Sequence, residues 1–488
     1  MKATASICTG CLQWLTKYRG GTDMKKFLSV LLVLTMILAV FSGCDNPTNT
    51  KPAEEENATK IKLWARSFED WADNLLQKQV DEFNKNLEDG IHIVLQFYGD
   101  DNTFDTAIAA GFENDTVADI FMAQYDRIYT YLKAGYIAPV GNYLTEEEQA
   151  GYIDAVREYV TFVDPTDQTA KMYAMPWYLE PSMMLYYNKD ILQQAGVTEI
   201  PETAEELLAA CAKIQPLMNS GRNEYVLCIP TNSVELTWTT EGLVQNYTGG
   251  QAVDSSTWTM NRVKMEEAKF AEASKLWYEL AKGGYCPITA LTPEGYVDSV
   301  DAICDGKVAM ALSGSWGIGR VMNYYPDQAD NIGVAPMVGY EDNVGTSCNG
   351  GWTYVISAKS DEDKQEKAMT FLKWYLCQTE NACKYFDAAY YSKSPTRKDV
   401  AQYIEQNSSN VSAEWIKCVN EVAAQGNMTF GASWSIKVQI GSLFEYMINH
   451  ADEGRSFNTL FKEKIEEVNT TIDTITTQAG YVTNPKFN

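Results

Sequence analysis

Strand-like and helix-like periodicities alternate along this chain from residue 60 almost to its end, and that alternation limits the fold more than any other feature. Ile61, Leu63 and Ala65 alternate with polar neighbours, and Ile91, Ile93, Leu95 and Phe97 repeat the pattern. A period of two marks a strand with one face in a core. Between them, residues 70 to 86 place Trp71, Leu75, Leu76, Val80 and Phe83 at helical spacing. The run ADIFMA at 118 to 123 reads as a short buried strand. Thr203 and Glu206 form a capping box ahead of Leu207, Leu208, Cys211 and Ile214. Apolar helix stripes recur at Ala368, Phe371, Leu372, Tyr375 and Leu376, and at Phe457, Leu460, Phe461, Ile465, Val468 and Ile472. Such alternation predicts an α/β architecture with sheets covered by helices. With 488 residues the chain exceeds one ordinary core, so two large domains or three smaller ones are expected. Ligands in α/β folds bind beyond the strand carboxyl ends or between domains, which points to the loops after Trp64, Ala123, Pro176, Leu312 and Ile332.

Charge and residue usage exclude several functions. The net charge is −26, and the first 44 residues contribute +4, leaving −30 on the remainder. A body that acidic repels phosphate backbones, so no nucleic-acid partner is expected. The only histidines are His92 and His450, far apart in sequence, so neither an HExxH motif nor a His-rich triad can be built. Cys8 and Cys11 precede the export signal described next and carry no function. Cys211, Cys228, Cys286, Cys304, Cys348, Cys377, Cys383 and Cys418 lack metal-ligand spacing and read as free buried thiols. No metal and no cofactor is expected.

Met24-Lys25-Lys26 opens a short basic region, followed by the apolar run Phe27 to Phe41 and then Ser42-Gly43-Cys44. That order describes a secretory signal, and about 20 apolar residues would be needed to span a bilayer. Cys44 behind a small pair resembles the lipobox of bacterial lipoproteins, which implies acylation of the Cys44 thiol, an anchor on the outer face of the cytoplasmic membrane, and a signal peptide over 24–43. Residues 1–23 precede the better start at Met24 and are set aside as an upstream extension. Residues 45–59, DNPTNTKPAEEENAT, are polar with no apolar period and are expected to form a flexible tether.

Four ordered segments resemble the family 1 extracellular solute-binding proteins, relatives of maltose-binding protein. They are Met172 to Ala195 (MYAMPWYLEPSMMLYYNKDILQQA) with Pro201 and ETAEELLAACAKI behind it, Gly306 to Gly317 (GKVAMALSGSWG), IGVAPMV at 332–338 leading to Gly350-Gly351-Trp352 and MTFLKWY, and Ser394-Pro395-Thr396-Arg397. The order spans the body from about 60 to 475. The resemblance implies a two-lobed periplasmic-binding-protein fold of type II, with the ligand in the cleft and closure by hinge bending. It implies lobe 1 from 60–175 plus 313–392 and lobe 2 from 176–312 plus 393–488. The chain would then cross near Pro176, return near Ser313 and cross again near Ser392. It also implies a monomer that captures a carbohydrate and docks on ABC permease subunits.

A pyranose offers an apolar C–H face and a rim of hydroxyls, so it calls for flat rings and polar acceptors in the ring plane. Hydroxyls buried without partners would cost about 1–3 kcal/mol each. The chain holds 12 Trp and 29 Tyr, enough to leave a surplus beyond the core. Trp316 aligns with the cleft-lining Trp of the family, with Gly314, Gly317 and Gly319 removing bulk around it. Trp434 in FGASWSIKV and Trp352 behind Gly350-Gly351 are further candidates, as is Glu180 as an acceptor of two hydroxyls. Trp177 and Tyr178 share the Glu180 segment. Arg66 and Ser67 follow the first strand, and Gln124, Tyr125 and Asp126 follow ADIFMA. Trp238 and Glu241 are speculative additions, and Arg397 is expected to fix a hinge. Three functions remain in competition: sugar capture, the same fold serving as a sensor or binding a peptide or polyamine, and a secreted glycosidase. The last needs two placed carboxylates, which 65 acidic residues supply without discrimination. Ser313-Gly314-Ser315-Trp316-Gly317 also departs from the Gly-x-Ser-x-Gly nucleophile elbow.

Overall fold

The computed structural model describes residues 58–479, except 87–89, 165, 220–221, 223, 230–232, 249–252, 255–258, 261–267, 287–297, 340–346, 409–410 and 426–433. The signal peptide, Cys44 and the tether up to residue 57 lie outside the described residues. The strands run β1 (Thr59–Arg66), β2 (Ile91–Tyr98), β3 (Ile120–Gln124), β4 (Ile137–Ala138), β5 (Thr161–Val163), β6 (Ala170–Met172), β7 (Met175–Pro181), β8 (Met184–Asn188), β9 (Tyr225–Cys228), β10 (Val253–Asp254), β11 (Thr259–Met260), β12 (Val308–Ser313), β13 (Ile332–Pro336), β14 (Asn349–Ser357) and β15 (Ser394–Pro395). β1 therefore begins at Thr59, the last residue assigned to the tether.

Two sheets form. The larger has the order β15-β7-β14-β3-β1-β2, with β4 on β14, and the smaller has the order β13-β8-β12-β9. In the larger sheet β1 pairs parallel with β2 and β3, whereas β14 runs antiparallel to β3 and to β7. β5–β6 and β10–β11 are separate two-stranded ribbons. Ile61, Leu63 and Ala65 are fully buried as their alternation predicts, and Trp64 on the opposite face is buried too. Both faces of the sheet are thus covered, as expected for parallel strands joined through helices.

The helices that cover the first sheet are α1 (Asp70–Lys85), α2 (Asp101–Glu113), α8 (Glu362–Leu376) and α9 (Thr379–Ala388). The second sheet carries α3 (Ala204–Ile214), α4 (Ser233–Thr248), α5 (Ala268–Lys282), α6 (Ser299–Cys304), α11 (Trp434–Asn449) and α12 (Phe457–Ala479). α7 (Trp316–Tyr324) and α10 (Ala413–Gln425) lie between the two groups, and α10 touches β13 of one sheet and β7 of the other. The capping box at Thr203 forms: the Glu206 N–H donates to Thr203 Oγ1 at 3.2 Å. Two apolar clusters form, one around Leu63, Phe121 and Phe371 that continues onto Tyr186, Val300 and Val334 of the second sheet and its helices, the other around Leu185, Trp277 and Phe444. No helix among the described residues is long and apolar enough to cross a membrane.

The expected crossings need correction. β7 belongs to the larger sheet through Pro181, so the first passage to the second sheet falls at Ser182-Met183 and not near Pro176. β13 pairs with β8, so the chain is still in the second lobe after Ser313 and returns between Pro336 and Asn349. β15 pairs with β7, so the third passage lies beyond Ser392. Backbone pairing decides these points, and single-strand periodicity cannot show which neighbour a strand takes.

Candidate functional site

A cavity of about 330 Å³ lies between the two lobes, lined from one side by Arg66, Glu69, Trp71, Asp101, Gln124, Tyr178, Glu180 and Trp352 and from the other by Trp238, Asp298, Ser313 and Trp316. Such a volume is at the lower end for small-molecule sites, which run from about 300 to 1,000 Å³.

Trp316 opens α7 directly after β12, which ends at Ser313. Its indole is half-buried and belongs to neither apolar core. Nε1–H donates to Asp298 Oδ2 at 3.0 Å. The sharp turn depends on Gly314, where a Cβ would stand 1.9 Å from Trp316 Cζ3. Gly317 and Gly319 play another part: a Cβ there would meet Tyr186 or the Ala389 carbonyl, so they let α7 approach its neighbours and do not open space around the indole. Asp298 caps α6 by accepting the Val300 N–H at 2.9 Å and also accepts from the Ser313 hydroxyl at 3.2 Å. Burial pushes its carboxyl above the ordinary range.

β7 supplies the next wall. Trp177, Tyr178 and Glu180 lie on a strand, not on a loop, because β7 continues past Pro176. Alternation then separates them: Tyr178 and Glu180 line the cavity. Trp177 does not; it packs 5 % exposed in the first core against Tyr354 and Tyr385. The Glu180 carboxylate pairs with the Lys393 ammonium. That ammonium also stands 5.1 Å from the Tyr178 ring centre and 5.6 Å from that of Trp316. Lys393 follows Tyr390 and Tyr391, which both adopt left-handed backbone, φ 51° and 54°. For bulky residues this conformation costs about 1–2 kcal/mol each. It is held by Tyr391 hydrogen-bonding Asp387 at 2.8 Å and Asn407 at 3.2 Å.

β14 passes beside β7 with a register shift between Trp352 and Thr353. Gly351, at φ +121°, brings the backbone so close to β7 that a Cβ would stand 2.3 Å from the Tyr178 carbonyl oxygen. Trp352 reaches the cavity but is 5 % exposed and packs edge-on to Phe68 at 5.2 Å. Arg66 Nε pairs with Asp101 at 2.8 Å, and Gln124 donates to the same carboxylate at 3.1 Å. Trp71 Nε1 donates to Glu69 at 2.9 Å, and Arg320 of α7 lies 3.6 Å from Glu69 while holding Asp301. Burial outweighs Arg320 and raises the Glu69 carboxyl above its ordinary value.

Of the residues singled out from sequence, Trp316, Trp352, Glu180, Tyr178, Arg66, Gln124 and the speculative Trp238 meet in this cavity. Four do not. Trp177 is core. Ser67 donates to the Asp73 carboxylate. Tyr125 is buried against Tyr159. Asp126 is fully buried in an ion pair with Lys437 at 3.0 Å, because the turn after β3 directs it inward. Trp434 begins α11, and its side chain lies outside the described residues, as does Cys44. Arg397 stacks on Tyr152 and bonds Asp399 at 3.0 Å, away from the cavity. Sequence reasoning missed Glu69, Trp71, Asp101, Asp298, Tyr385 and Lys393. Trp71 had a signal: it lies on the same helix stripe as core residues, yet next to the helix start, where the first strand's loop arrives. The eight body cysteines are free, and burial raises their thiols, to about 12 at Cys211 and Cys286. Among the described residues no group of three or more His, Cys, Asp or Glu could hold a metal.

Residues 68–376 match the family described as bacterial extracellular solute-binding protein. The chain belongs to that family. A maltotriose-binding protein of Pyrococcus abyssi is 24 % identical over 283 residues, 57 % of this chain and 54 % of that protein. A putative binding protein of Brucella abortus is 30 % identical over 112 residues, 23 % of this chain and 25 % of the relative. The chain thus spans about half the length of the first relative and a quarter of the second. Among solved structures, an ABC transporter solute-binding protein of Thermotoga lettingae bound to α-D-tagatose superposes with TM-score 0.69 at 21 % identity, over 85 % of this chain and 100 % of that one. The sugar-binding protein MalE of Xanthomonas citri gives 0.65 at 20 %, over 85 % and 98 %. These likenesses show the type II two-lobed fold for this solute-binding protein, the architecture expected from its motifs.

Proposed function

We propose that this solute-binding protein captures a carbohydrate of one or two rings in the inter-lobe cavity and delivers it to an ABC importer from a lipid anchor on Cys44. It performs no catalysis. The observation that carries the reading is the convergence of Trp71, Trp238, Trp316 and Trp352 with Glu69, Asp101, Glu180 and Asp298 on one cavity. Flat apolar rings suit the C–H faces of a pyranose, and carboxylates accept its hydroxyls in strong charge-assisted bonds. Trp316 and Trp238 stand outside both apolar cores, so their rings are not needed to fill either. The volume of about 330 Å³ supports a short ligand over a long oligosaccharide. Intrinsic Trp fluorescence and thermal shift across a panel of mono- and disaccharides test this reading. A saturable response to at least one sugar is expected, and silence across the panel with folded protein overturns it.

A second reading, a cationic solute such as a polyamine, draws support from the excess of carboxylates over Arg66 and Lys393 in the lining. Competition between spermidine and the responding sugar separates the two. Export and anchoring rest on the Lys25-Lys26 start, the apolar run and Cys44. Loss of membrane association in Cys44→Ala tests them.

A further inference from the structure

One lysine ammonium lies wholly inside the protein. Lys437 of α11 is 1 % exposed, and its Nζ stands 3.0 Å from Asp126 Oδ2 and 2.9 Å from Glu241 Oε2, both carboxylates equally buried. The three residues come from both lobes. Asp126 sits in the turn after β3 of the larger sheet, while Glu241 on α4 and Lys437 on α11 belong to the helices of the second lobe. The same ammonium lies 4.7 Å from the ring centre of Trp238, which lines the ligand cavity. The second Asp126 oxygen is buried with no hydrogen-bond partner among the described residues.

We infer that Lys437 is a positioning residue that couples closure of the lobes to the ligand-facing Trp238, through one ammonium shared between a carboxylate of each lobe. The inference rests on the solute-capture reading for its purpose, but the coupling is a property of the chain alone. Closing brings the Asp126 carboxylate onto the ammonium that Glu241 also holds. Without that cation, closing would bury two like charges face to face, which costs far more than burying a compensated set. Burial alone would lower the Lys437 pKa, but Asp126 and Glu241 outweigh it and keep the ammonium charged. Other groups facing the cluster are Arg127, 3.4 Å from Asp126, with Asp105 behind it, and Tyr159 and Cys348, whose hydroxyl and thiol burial keeps protonated. Arg127 is divided between Asp126 and Asp105 and does not replace the lost charge.

Lys437→Met keeps the stem length and removes the charge. Small-angle scattering of the ligand-free full chain is expected to show a larger radius of gyration than wild type at about pH 7.5. Wild type and Lys437→Arg are expected to stay compact. For the sugar that responds in the fluorescence panel, Lys437→Met is expected to bind roughly a hundredfold more weakly, and Lys437→Arg to restore binding. A merely structural lysine would lower thermal stability without opening the lobes. Should Lys437→Met fail to fold, Asp126→Asn removes the cross-lobe charge held by the ammonium and leaves Lys437 paired with Glu241; a larger radius of gyration than wild type is expected for it as well. Wild-type radii for the folded variants overturn the inference. That scattering result needs no ligand, so it stands or falls separately from sugar capture.

Discussion

Truncation of Trp316 is the perturbation whose size can be worked from the site. One pyranose face covers roughly 40–50 Å² of indole, which at about 25 cal/mol per Å² is about 1 kcal/mol. The indole N–H also fixes Asp298, 3.0 Å away. That carboxylate retains the Ser313 hydroxyl and the Val300 N–H, so losing the third bond costs about 1 kcal/mol of ligand-ready geometry. Trp316→Ala should therefore weaken sugar binding by about 2 kcal/mol, or roughly thirtyfold in Kd. Trp316→Phe keeps a flat ring and drops the donor, so about 1 kcal/mol, roughly fivefold, is expected. Isothermal titration on both variants gives the numbers. Thermal unfolding is the control, since the indole belongs to neither core and little stability should be lost. Affinity within twofold of wild type for Trp316→Ala would refute the stacking argument. Equal losses in the two variants would shift the contribution from the ring face to the N–H.

Three further outcomes follow from the lining. Lys393→Met leaves Glu180 without its cation in a largely buried position, and we expect about 1–2 kcal/mol lower stability by chemical denaturation, recovered in the double variant with Glu180→Gln. Gly351→Ala combines a left-handed φ with a clash on the Tyr178 carbonyl, so a loss of about 2–3 kcal/mol or insoluble expression is expected, and wild-type stability would contradict the observed strand approach. Glu69 and Asp298 have folded pKa values raised by burial. On acidification the folded protein therefore takes up these protons before the unfolded chain does, so their burial penalty is present above the raised pKa and relieved below it. Hydroxyl donors of a sugar need the ionised acceptors. Affinity should thus begin to fall at a pH above the ordinary carboxylate range, and the double variant Glu69→Gln, Asp298→Asn should bind weakly with that pH dependence flattened.

Much of the fold was legible from periodicity. Ile61, Leu63 and Ala65 point into a core as their spacing says, and the Thr203 box caps α3. Sheet partners were not legible. β7 carries Pro176 within it and Pro181 at its end, which hid a strand, and strand alternation turns Trp177 away from the cavity into the core. IGVAPMV stood out only as a motif, and pairing of β13 with β8 shows which lobe holds it. For the site, a turn glycine precedes Trp316 and a glycine pair precedes Trp352, and both indoles line the cavity. The charges were harder. Lys393 is a lone lysine in sequence, and its entry into the cavity depends on two tyrosines in left-handed backbone that no local pattern announces. Asp298 reads as an ordinary helix cap, and its second use as a cavity acceptor arises only when Trp316 folds back over it.

The most direct test is a crystal structure grown with the sugar that gives the strongest fluorescence response. The account expects a pyranose ring between the lobes, one C–H face against the Trp316 indole, with hydroxyls on Asp298 or Glu180. Sugar density outside the cleft, or a ring within it that leaves the Trp316 face untouched, would contradict it.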